Sequence, residues 1–218
     1  MIFSTPAPHS SGLHQCELAR TGLVNARLSL QLPTQPRGAP LVLVLHYGGQ
    51  PHGYYGEALV GSLVQPAWQA LNAVIAAPVS VGGDWQSKDN LALLRSLLPL
   101  LEATYETNSQ QRVITGYSLG AIGCWHQLVT QENHFSAAVP IAGRIPESLE
   151  AITTPFHALH SRTDQLFPLG DFEARVSARA AAGANAALSV VNDVDHFDFL
   201  AYLAAMRALV PWLQTIHR

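Results

Sequence analysis

The residues Gly116-Tyr117-Ser118-Leu119-Gly120 combine a nucleophile with the spacing that a sharp turn requires. They follow the apolar run Arg112–Thr115, which predicts a strand, and they precede a segment with helical spacing. A Gly-x-Ser-x-Gly pattern at a strand-to-helix turn is typical of a nucleophile elbow, where small residues two positions before and after the serine permit a strained backbone. The sequence therefore predicts Ser118 as a nucleophile; the alternative is that Ser118 is only a small residue at a tight turn.

A serine hydroxyl is a weak nucleophile at neutral pH, so it needs a base and a group that orients the base. After a nucleophile elbow, the acid and then the histidine are expected in that order, each following a later strand. Asp164 follows the predicted strand Pro155–Leu159, and His196 follows the last predicted strand. His196 competes with nine other histidines among the 10 in the chain. Asp164 competes with carboxylates that could otherwise be helix caps or solvated groups, namely Asp171, Asp193, Asp195 and Asp198.

These residues require a scaffold that brings distant loops together. Short apolar runs predict six strands buried in a parallel sheet: Leu41–Leu45, Ala73–Val79, Arg112–Thr115, Ala137–Ile141, Pro155–Leu159 and Ala187–Val191. Helical spacing is found between and after them, at Tyr55–Leu71, Asp89–Tyr105, Leu119–Gln131, Phe172–Ala182 and Phe197–Ile216. This alternation predicts an α/β fold with a mostly parallel central sheet and helices on both faces. The segments His14–Arg20 and Ala26–Leu32 could add an antiparallel hairpin at one edge.

The composition predicts one globular domain over residues 1–218. Of the 218 residues, 48% are hydrophobic and 12% are charged, and 15 Asp and Glu outnumber 12 Lys and Arg. Nucleic-acid binding needs clustered Lys and Arg residues, and the sequence has no such cluster. The longest apolar runs are too short for a membrane span. Met1–His9 lacks the pattern of a secretory signal, and Cys16 and Cys124 are predicted to be buried thiols rather than a disulfide. A cytoplasmic location is the expectation that follows.

From about Leu41 to the C-terminus, the chain resembles the α/β-hydrolase superfamily, particularly its small carboxylesterase, phospholipase and dienelactone-hydrolase-like members. The resemblance is carried by Gly116–Gly120, by Asp164 with Pro168, by Asp195-His196, and by the glycine loop His46–Gly49. Many members have Gly where this chain has Asp195, and Tyr47 replaces the first glycine of the family's His-Gly-Gly-Gly loop. The resemblance implies an α/β-hydrolase fold. The segment between Ile141 and Pro155 is too short for a large lid domain.

The same resemblance implies a role for each position. Ser118 would attack an acyl carbonyl, His196 would move the proton, and Asp164 would hold the histidine tautomer. The backbone N–H of Leu119, with that of Gly48 or Tyr47, would bind the oxyanion.

Ligands of a parallel sheet bind in the loops that follow the carboxyl ends of its strands, and other residues in those loops could have either a functional or a structural role. Aromatic side chains there could line a substrate pocket or simply pack: Tyr47, Tyr54, Tyr55, Trp85 and Phe167. His46 is expected to brace its glycine loop. His157 and His160 are not expected to form a metal pair, since residues three apart on a strand point to opposite faces.

The sequence thus predicts a serine hydrolase that cleaves a small or flexible carboxylic ester or thioester through an acyl-enzyme, with no metal or organic cofactor. A peptidase, amidase or acyltransferase uses the same chemistry and stays open, because fold does not fix substrate. A catalytically silent binding module of the same fold is the alternative from another class. The expected partner is a small-molecule substrate, and the oligomeric state is not predicted.

Overall fold

A single sheet of nine strands forms the centre of the computed structural model, which describes residues 1–21, 23–130 and 134–216. In chain order the strands are β1 (Ile2–Phe3), β2 (Gly12–Arg20), β3 (Leu23–Leu32), β4 (Leu41–Leu45), β5 (Val74–Pro78), β6 (Arg112–Tyr117), β7 (Ala137–Ile141), β8 (Phe156–Ser161) and β9 (Ala186–Val191). Their order across the sheet is β1-β2-β3-β5-β4-β6-β7-β8-β9. The strands from β5 to β9 in this order pair in parallel, and β1, β2 and β3 add antiparallel pairs. The predicted parallel sheet and its edge hairpin are confirmed.

The helices cover both faces of this sheet. They are α1 (Glu57–Leu59), α2 (Gln65–Trp68), α3 (Lys88–Tyr105), α4 (Leu119–Thr130), α5 (Phe172–Ala181), α6 (Leu203–Ala208) and α7 (Val210–Ile216). One buried cluster joins α3, α4 and α5 to one face, and a second joins α1, α2, α6 and α7 to the other. Alternate residues of β4 divide between the clusters, with Leu43 in the first and Val42 and Val44 in the second. This division explains why β4 is apolar throughout.

Two helices predicted as continuous are interrupted, and a proline accompanies each break. In the predicted helix Tyr55–Leu71, a π-helical stretch, Val60–Val64, separates α1 from α2, and a 3-10 turn, Gln69–Leu71, ends the segment. Pro66 has no N–H for the normal helical bond, and its ring crowds the preceding turn. Pro211 acts in the same way between α6 and α7, after the 3-10 turn Phe199–Tyr202.

Two further sequence predictions concern bounds and thiols. The predicted helix Leu119–Gln131 is found as α4, Leu119–Thr130. Gln131 lies outside the described residues. Cys16 and Cys124 are buried free thiols, as predicted.

The chain between β7 and β8 holds the short 3-10 turn Leu149–Ala151 and no lid domain in this described stretch. Within residues 1–21, 23–130 and 134–216, no single helix is both long and apolar enough to cross a membrane. The pair Phe199–Ala208 and Val210–Ile216 meets the criterion by length and composition only, and it is bent by 53°. Tyr202, Met206 and Leu213 of this pair are buried against the sheet.

Candidate active site

Ser118 occupies a strained turn between β6 and α4. Its φ of +56° lies in the left-handed region, which non-glycine residues rarely adopt. The Ser118 N–H donates to the carbonyl of Ile141 at the end of β7 (2.9 Å), and its own carbonyl accepts from the Ala121 N–H (2.9 Å). These bonds fix the turn, so the serine is held at the carboxyl edge of the sheet.

The glycines around Ser118 are required by close backbone contacts. A Cβ added at Gly120 would lie 2.0 Å from the carbonyl oxygen of Leu45 in β4. One added at Gly116 would lie 2.5 Å from the carbonyl oxygen of Gly120. Real Cβ atoms essentially never come within 3.0 Å of such atoms. The small residues expected of a nucleophile elbow therefore let β6 and α4 approach β4.

The structure brings Asp164 and His196 together with Ser118. His196 Nε2 lies 2.9 Å from Ser118 Oγ, and His196 Nδ1 lies 2.7 Å from Asp164 Oδ2. Asp164 and His196 are both buried. The other carboxylate oxygen, Oδ1, accepts from the N–H groups of Leu166 (2.9 Å) and Phe167 (2.8 Å). Since the carboxylate can only accept, Nδ1 carries the proton and Nε2 is free to accept from the serine hydroxyl.

Polar side chains hold the loops that carry Asp164 and His196 in place, and two of them, His160 and Tyr117, are buried. His160 Nε2 donates to the carbonyl of Phe167 (2.6 Å) and lies 4.0 Å from Asp164 Oδ2. Burial lowers the pKa of His160, so this ring is neutral. The Tyr117 hydroxyl donates to the His196 carbonyl, and burial raises the pKa of Tyr117, so it stays a donor. Gln165 Oε1 accepts from the His196 N–H (3.3 Å).

The glycine loop after β4 is braced by His46, as predicted. His46 Nδ1 donates to the Tyr47 carbonyl (2.7 Å), and Nε2 accepts from the Ser80 N–H (3.0 Å). Burial lowers the pKa of His46, which favours this neutral tautomer. The loop lies against the start of α4, because a Cβ added at Gly48 would be 3.7 Å from Leu119 Cβ. The predicted oxyanion residues, Leu119 with Gly48 or Tyr47, are thus neighbours beside Ser118.

A cavity of about 400 Å³ opens at Ser118. Its walls are mainly apolar and are formed by Tyr47, Gly48, Tyr117, Leu166, His196, Phe197 and Phe199. Phe199 stacks on Tyr47, with ring centroids 6.0 Å apart. The cavity provides space for an uncharged group next to the serine hydroxyl.

The predicted pocket aromatics are placed differently from the expectation. Trp85 is only 1% exposed and donates its indole N–H to the His46 carbonyl (2.9 Å), so it supports the glycine loop from below rather than lining the cavity. Tyr54 lines a separate, open cavity of about 720 Å³, which shares Tyr47 with the first. Phe167 packs its ring on His196, at 5.3 Å between centroids, but is not among the residues lining the cavity at Ser118. None of Tyr54, Trp85 and Phe167 is among the residues that line the cavity at Ser118, and their assignment to substrate binding stays a prediction.

Sequence reasoning missed four side chains that do line it: Tyr117, Leu166, Phe197 and Phe199. The signal available was their position: Tyr117 directly precedes Ser118, Leu166 lies two residues after Asp164, and Phe197 and Phe199 lie one and three residues after His196.

The two histidines of β8 do not form a pair. The His157 ring packs on Trp212 of α7, whereas the His160 ring packs on Phe172 of α5, on the other face of the sheet. Among the described residues, no group of three or more His, Cys, Asp and Glu side chains could hold a metal ion.

Comparison with protein families identifies the group to which this site belongs. The model of the Esterase family matches residues 25–212. The chain belongs to the Esterase family. It is thus an α/β hydrolase of the carboxylic ester hydrolase class. No curated protein matches the sequence.

Solved structures of other esterases resemble this member of the Esterase family in fold. A ferulic acid esterase superposes with a TM-score of 0.73 at 16% identity, covering 95% of this chain and 99% of that one. Thermogutta terrifontis esterase 2 gives a TM-score of 0.70 at 17% identity, covering 94% of each chain. A thermostable esterase gives 0.68 at 22% identity, and there the match spans 94% of this chain but 60% of the other. The predicted α/β-hydrolase fold is confirmed.

Proposed function

We propose that this esterase hydrolyses small carboxylic esters through a covalent acyl intermediate on Ser118. The observation that carries the proposal is the unbroken pair of contacts from Ser118 Oγ to His196 Nε2 (2.9 Å) and from His196 Nδ1 to Asp164 Oδ2 (2.7 Å). A nucleophile, a base and a group that orients the base are the arrangement that activates a serine for acyl transfer.

The proposed reaction has two halves. His196 Nε2 takes the hydroxyl proton as Ser118 Oγ bonds to the ester carbonyl carbon, and the carbonyl oxygen becomes an oxyanion. The C–O bond to the alcohol then breaks, and His196 returns the proton to the leaving oxygen. Water repeats these steps on the acyl-serine and releases the acid. Asp164 keeps the imidazole in its tautomer and stabilises the cation that forms on His196.

The oxyanion needs donors where its charge develops. The backbone N–H of Leu119 and that of Gly48 or Tyr47 are the groups proposed for this role. Each such donor is worth about 3 kcal/mol of transition-state stabilisation in a serine hydrolase. The N-terminus of α4, which begins at Leu119, adds a favourable field for negative charge at the same point.

Two features support a small ester as substrate. The cavity at Ser118 has a volume of about 400 Å³ and apolar walls, and an uncharged ester group of modest size fits it. Thermogutta terrifontis esterase 2 has been solved phosphorylated by paraoxon and, separately, with propionate bound. A thioester carbonyl undergoes the same attack and is therefore included in the substrate test.

The experiment is covalent labelling with a fluorophosphonate, read by intact mass. We expect one adduct on the wild type and on the control Ser109→Ala, which removes an exposed serine, and none on Ser118→Ala. His196→Gln should label at least a hundredfold more slowly because it lacks the base. Absence of an adduct on folded wild type, or labelling that survives in Ser118→Ala, would refute the mechanism.

Turnover then separates the reaction types. Among matched butyrate substrates, the wild type should hydrolyse the ester fastest, the thioester more slowly and the anilide most slowly. Preference for the anilide would favour an amidase instead. Tight binding of the ester without turnover would favour a silent binding module.

A further inference from the structure

Two exposed apolar side chains line the cavity at Ser118. Phe197 is 74% exposed, more than any other large hydrophobic residue in the described part of the chain, and Leu166 is 51% exposed. Single exposed apolar residues are common on protein surfaces. Here, however, both side chains line the same cavity beside a serine that contacts a histidine. Their combination points to an apolar ligand group that covers them.

Both residues are held by hydrogen bonds of their backbone N–H groups on the side of the cavity that carries His196. The Phe197 ring meets the His196 imidazole edge to face, with centroids 5.6 Å apart, and the Phe197 N–H donates to Asp195 Oδ1 (2.8 Å). The Leu166 N–H donates to Asp164 Oδ1 (2.9 Å). Leu166 and Phe197 thus belong to the two loops that hold Asp164 and His196.

The direction of proton transfer decides which part of an ester lies there. His196 Nε2 must come within hydrogen-bond reach, about 3 Å, of the oxygen that leaves. In the proposed reaction the carbonyl oxygen points instead toward the Leu119 N–H and the glycine loop, and the structure places Gly48 beside Leu119. The group attached to the leaving oxygen therefore lies on the His196 side of the cavity.

We propose that Leu166 and Phe197 form a subsite for an uncharged alkyl or aryl group on the alcohol side of the ester. The inference rests on the proposed function and adds the class of alcohol to it. Asp195 and Asp198, exposed carboxylates of the same loop, make this side of the cavity unfavourable for alcohols that carry a negative charge.

The test varies the alcohol and the acyl group separately. The alcohol series is methyl, butyl and benzyl acetate. The acyl series is methyl acetate, methyl valerate and methyl phenylacetate. Hydrolysis of every ester is measured as acid release in a pH-stat. The variants are Leu166→Ala and Phe197→Ala. The matched control is Leu200→Ala, which truncates another exposed leucine, 49% exposed, that is not among the residues lining the cavity.

We expect kcat/KM for benzyl acetate to fall about tenfold in Phe197→Ala and about fivefold in Leu166→Ala, from the apolar area that the alcohol no longer covers. Values for methyl acetate should change less than twofold, and Leu200→Ala should resemble the wild type throughout. Phe197→Leu should recover most of the activity on butyl acetate. Because both side chains are exposed, the variants should unfold at the wild-type temperature.

Other outcomes would overturn the subsite. Losses confined to methyl valerate and phenylacetate would place the acyl group on these residues. Equal losses on all esters, with slower fluorophosphonate labelling, would mean that the side chains act on His196. Unchanged ratios in an active wild type would refute the subsite alone. No hydrolysis of any ester by the wild type would refute the proposed function, and the subsite with it.

Discussion

Replacing Gly120 by alanine should damage both stability and catalysis through one steric contact. The added Cβ would stand 2.0 Å from the Leu45 carbonyl oxygen and 2.8 Å from that of His46, both of them backbone atoms. Ordinary van der Waals contact begins near 3.4 Å, so the backbone must move by about 1.4 Å at the first contact, which is 3.4 minus 2.0. No side-chain rotation can relieve such an overlap.

The expected loss of stability lies at the upper end of overpacking effects, about 3 kcal/mol. For a chain of this size, each kcal/mol lowers Tm by about 2–4 °C, so Tm should fall by about 6–12 °C. The displaced backbone leads directly into the glycine loop. A shift of about 1 Å in a positioning element typically costs about a hundredfold in rate, and kcat should fall by that order.

The control is Gly61→Ala in the π-helical stretch, where an added Cβ meets only Leu13 Cδ2 at an ordinary 3.7 Å. Alanine should be neutral or stabilising by up to about 1 kcal/mol there, because its helix propensity is higher than that of glycine. Thermal unfolding by circular dichroism and kcat on a p-nitrophenyl ester measure both effects. A Gly120→Ala protein with Tm within 2 °C and kcat within threefold of wild type would refute the close approach of α4 to β4.

Three further predictions test the site and its supports. Asp164→Asn, of nearly the same shape, should lower kcat about 10³- to 10⁴-fold because it favours the wrong imidazole tautomer; steady-state kinetics with a Tm check measure this. Gln165→Ala removes the acceptor of the His196 N–H and should lower kcat about threefold to tenfold with KM unchanged, whereas an unchanged kcat would exclude a positioning role. The free energy of unfolding should decrease as pH falls below about 6.5, because burial lowers the pKa of three histidines and the unfolded chain then binds more protons than the folded one. They are His46, His157 and His160. Between pH 7.5 and 5.5, the free energy of unfolding measured with urea should drop less in His157→Gln than in the wild type. In the exposed-residue control His9→Gln it should drop as much as in the wild type.

The strands and the order of the site residues could be predicted because each has a local cause. The run Leu41–Leu45 is apolar at every position, and both of its faces are buried between helices. Ser118, Asp164 and His196 each follow a strand of the parallel sheet, and parallel strands end at one edge. Local pattern and topology together therefore predicted the loops in which these residues meet.

The helix breaks and the pocket depended on tertiary information. Pro66 and Pro211 signalled interruptions, but hydrophobic spacing alone favoured continuous helices. Trp85 lies in a carboxyl-end loop as expected, yet its indole turns inward to the His46 carbonyl. The direction of a loop side chain depends on which buried acceptor it satisfies, and the sequence does not state this. Location in the cell and the single-domain organisation stay predictions.

Several polar side chains are buried next to this site, and each of them donates a hydrogen bond to a backbone carbonyl of a nearby loop. The Tyr117 hydroxyl ties the elbow to the His196 carbonyl, His160 ties β8 to the Phe167 carbonyl, and the Trp85 indole ties the segment after β5 to the His46 carbonyl. Each bond satisfies a buried donor. The bonds of Tyr117 and Trp85 join segments 79 and 39 residues apart in sequence, whereas His160 holds the loop that directly follows β8. A parallel sheet brings the loops to one edge but does not fix their relative positions to the accuracy that proton transfer needs. We infer that these cross-loop hydrogen bonds supply that accuracy, so their loss should lower kcat more than it raises KM.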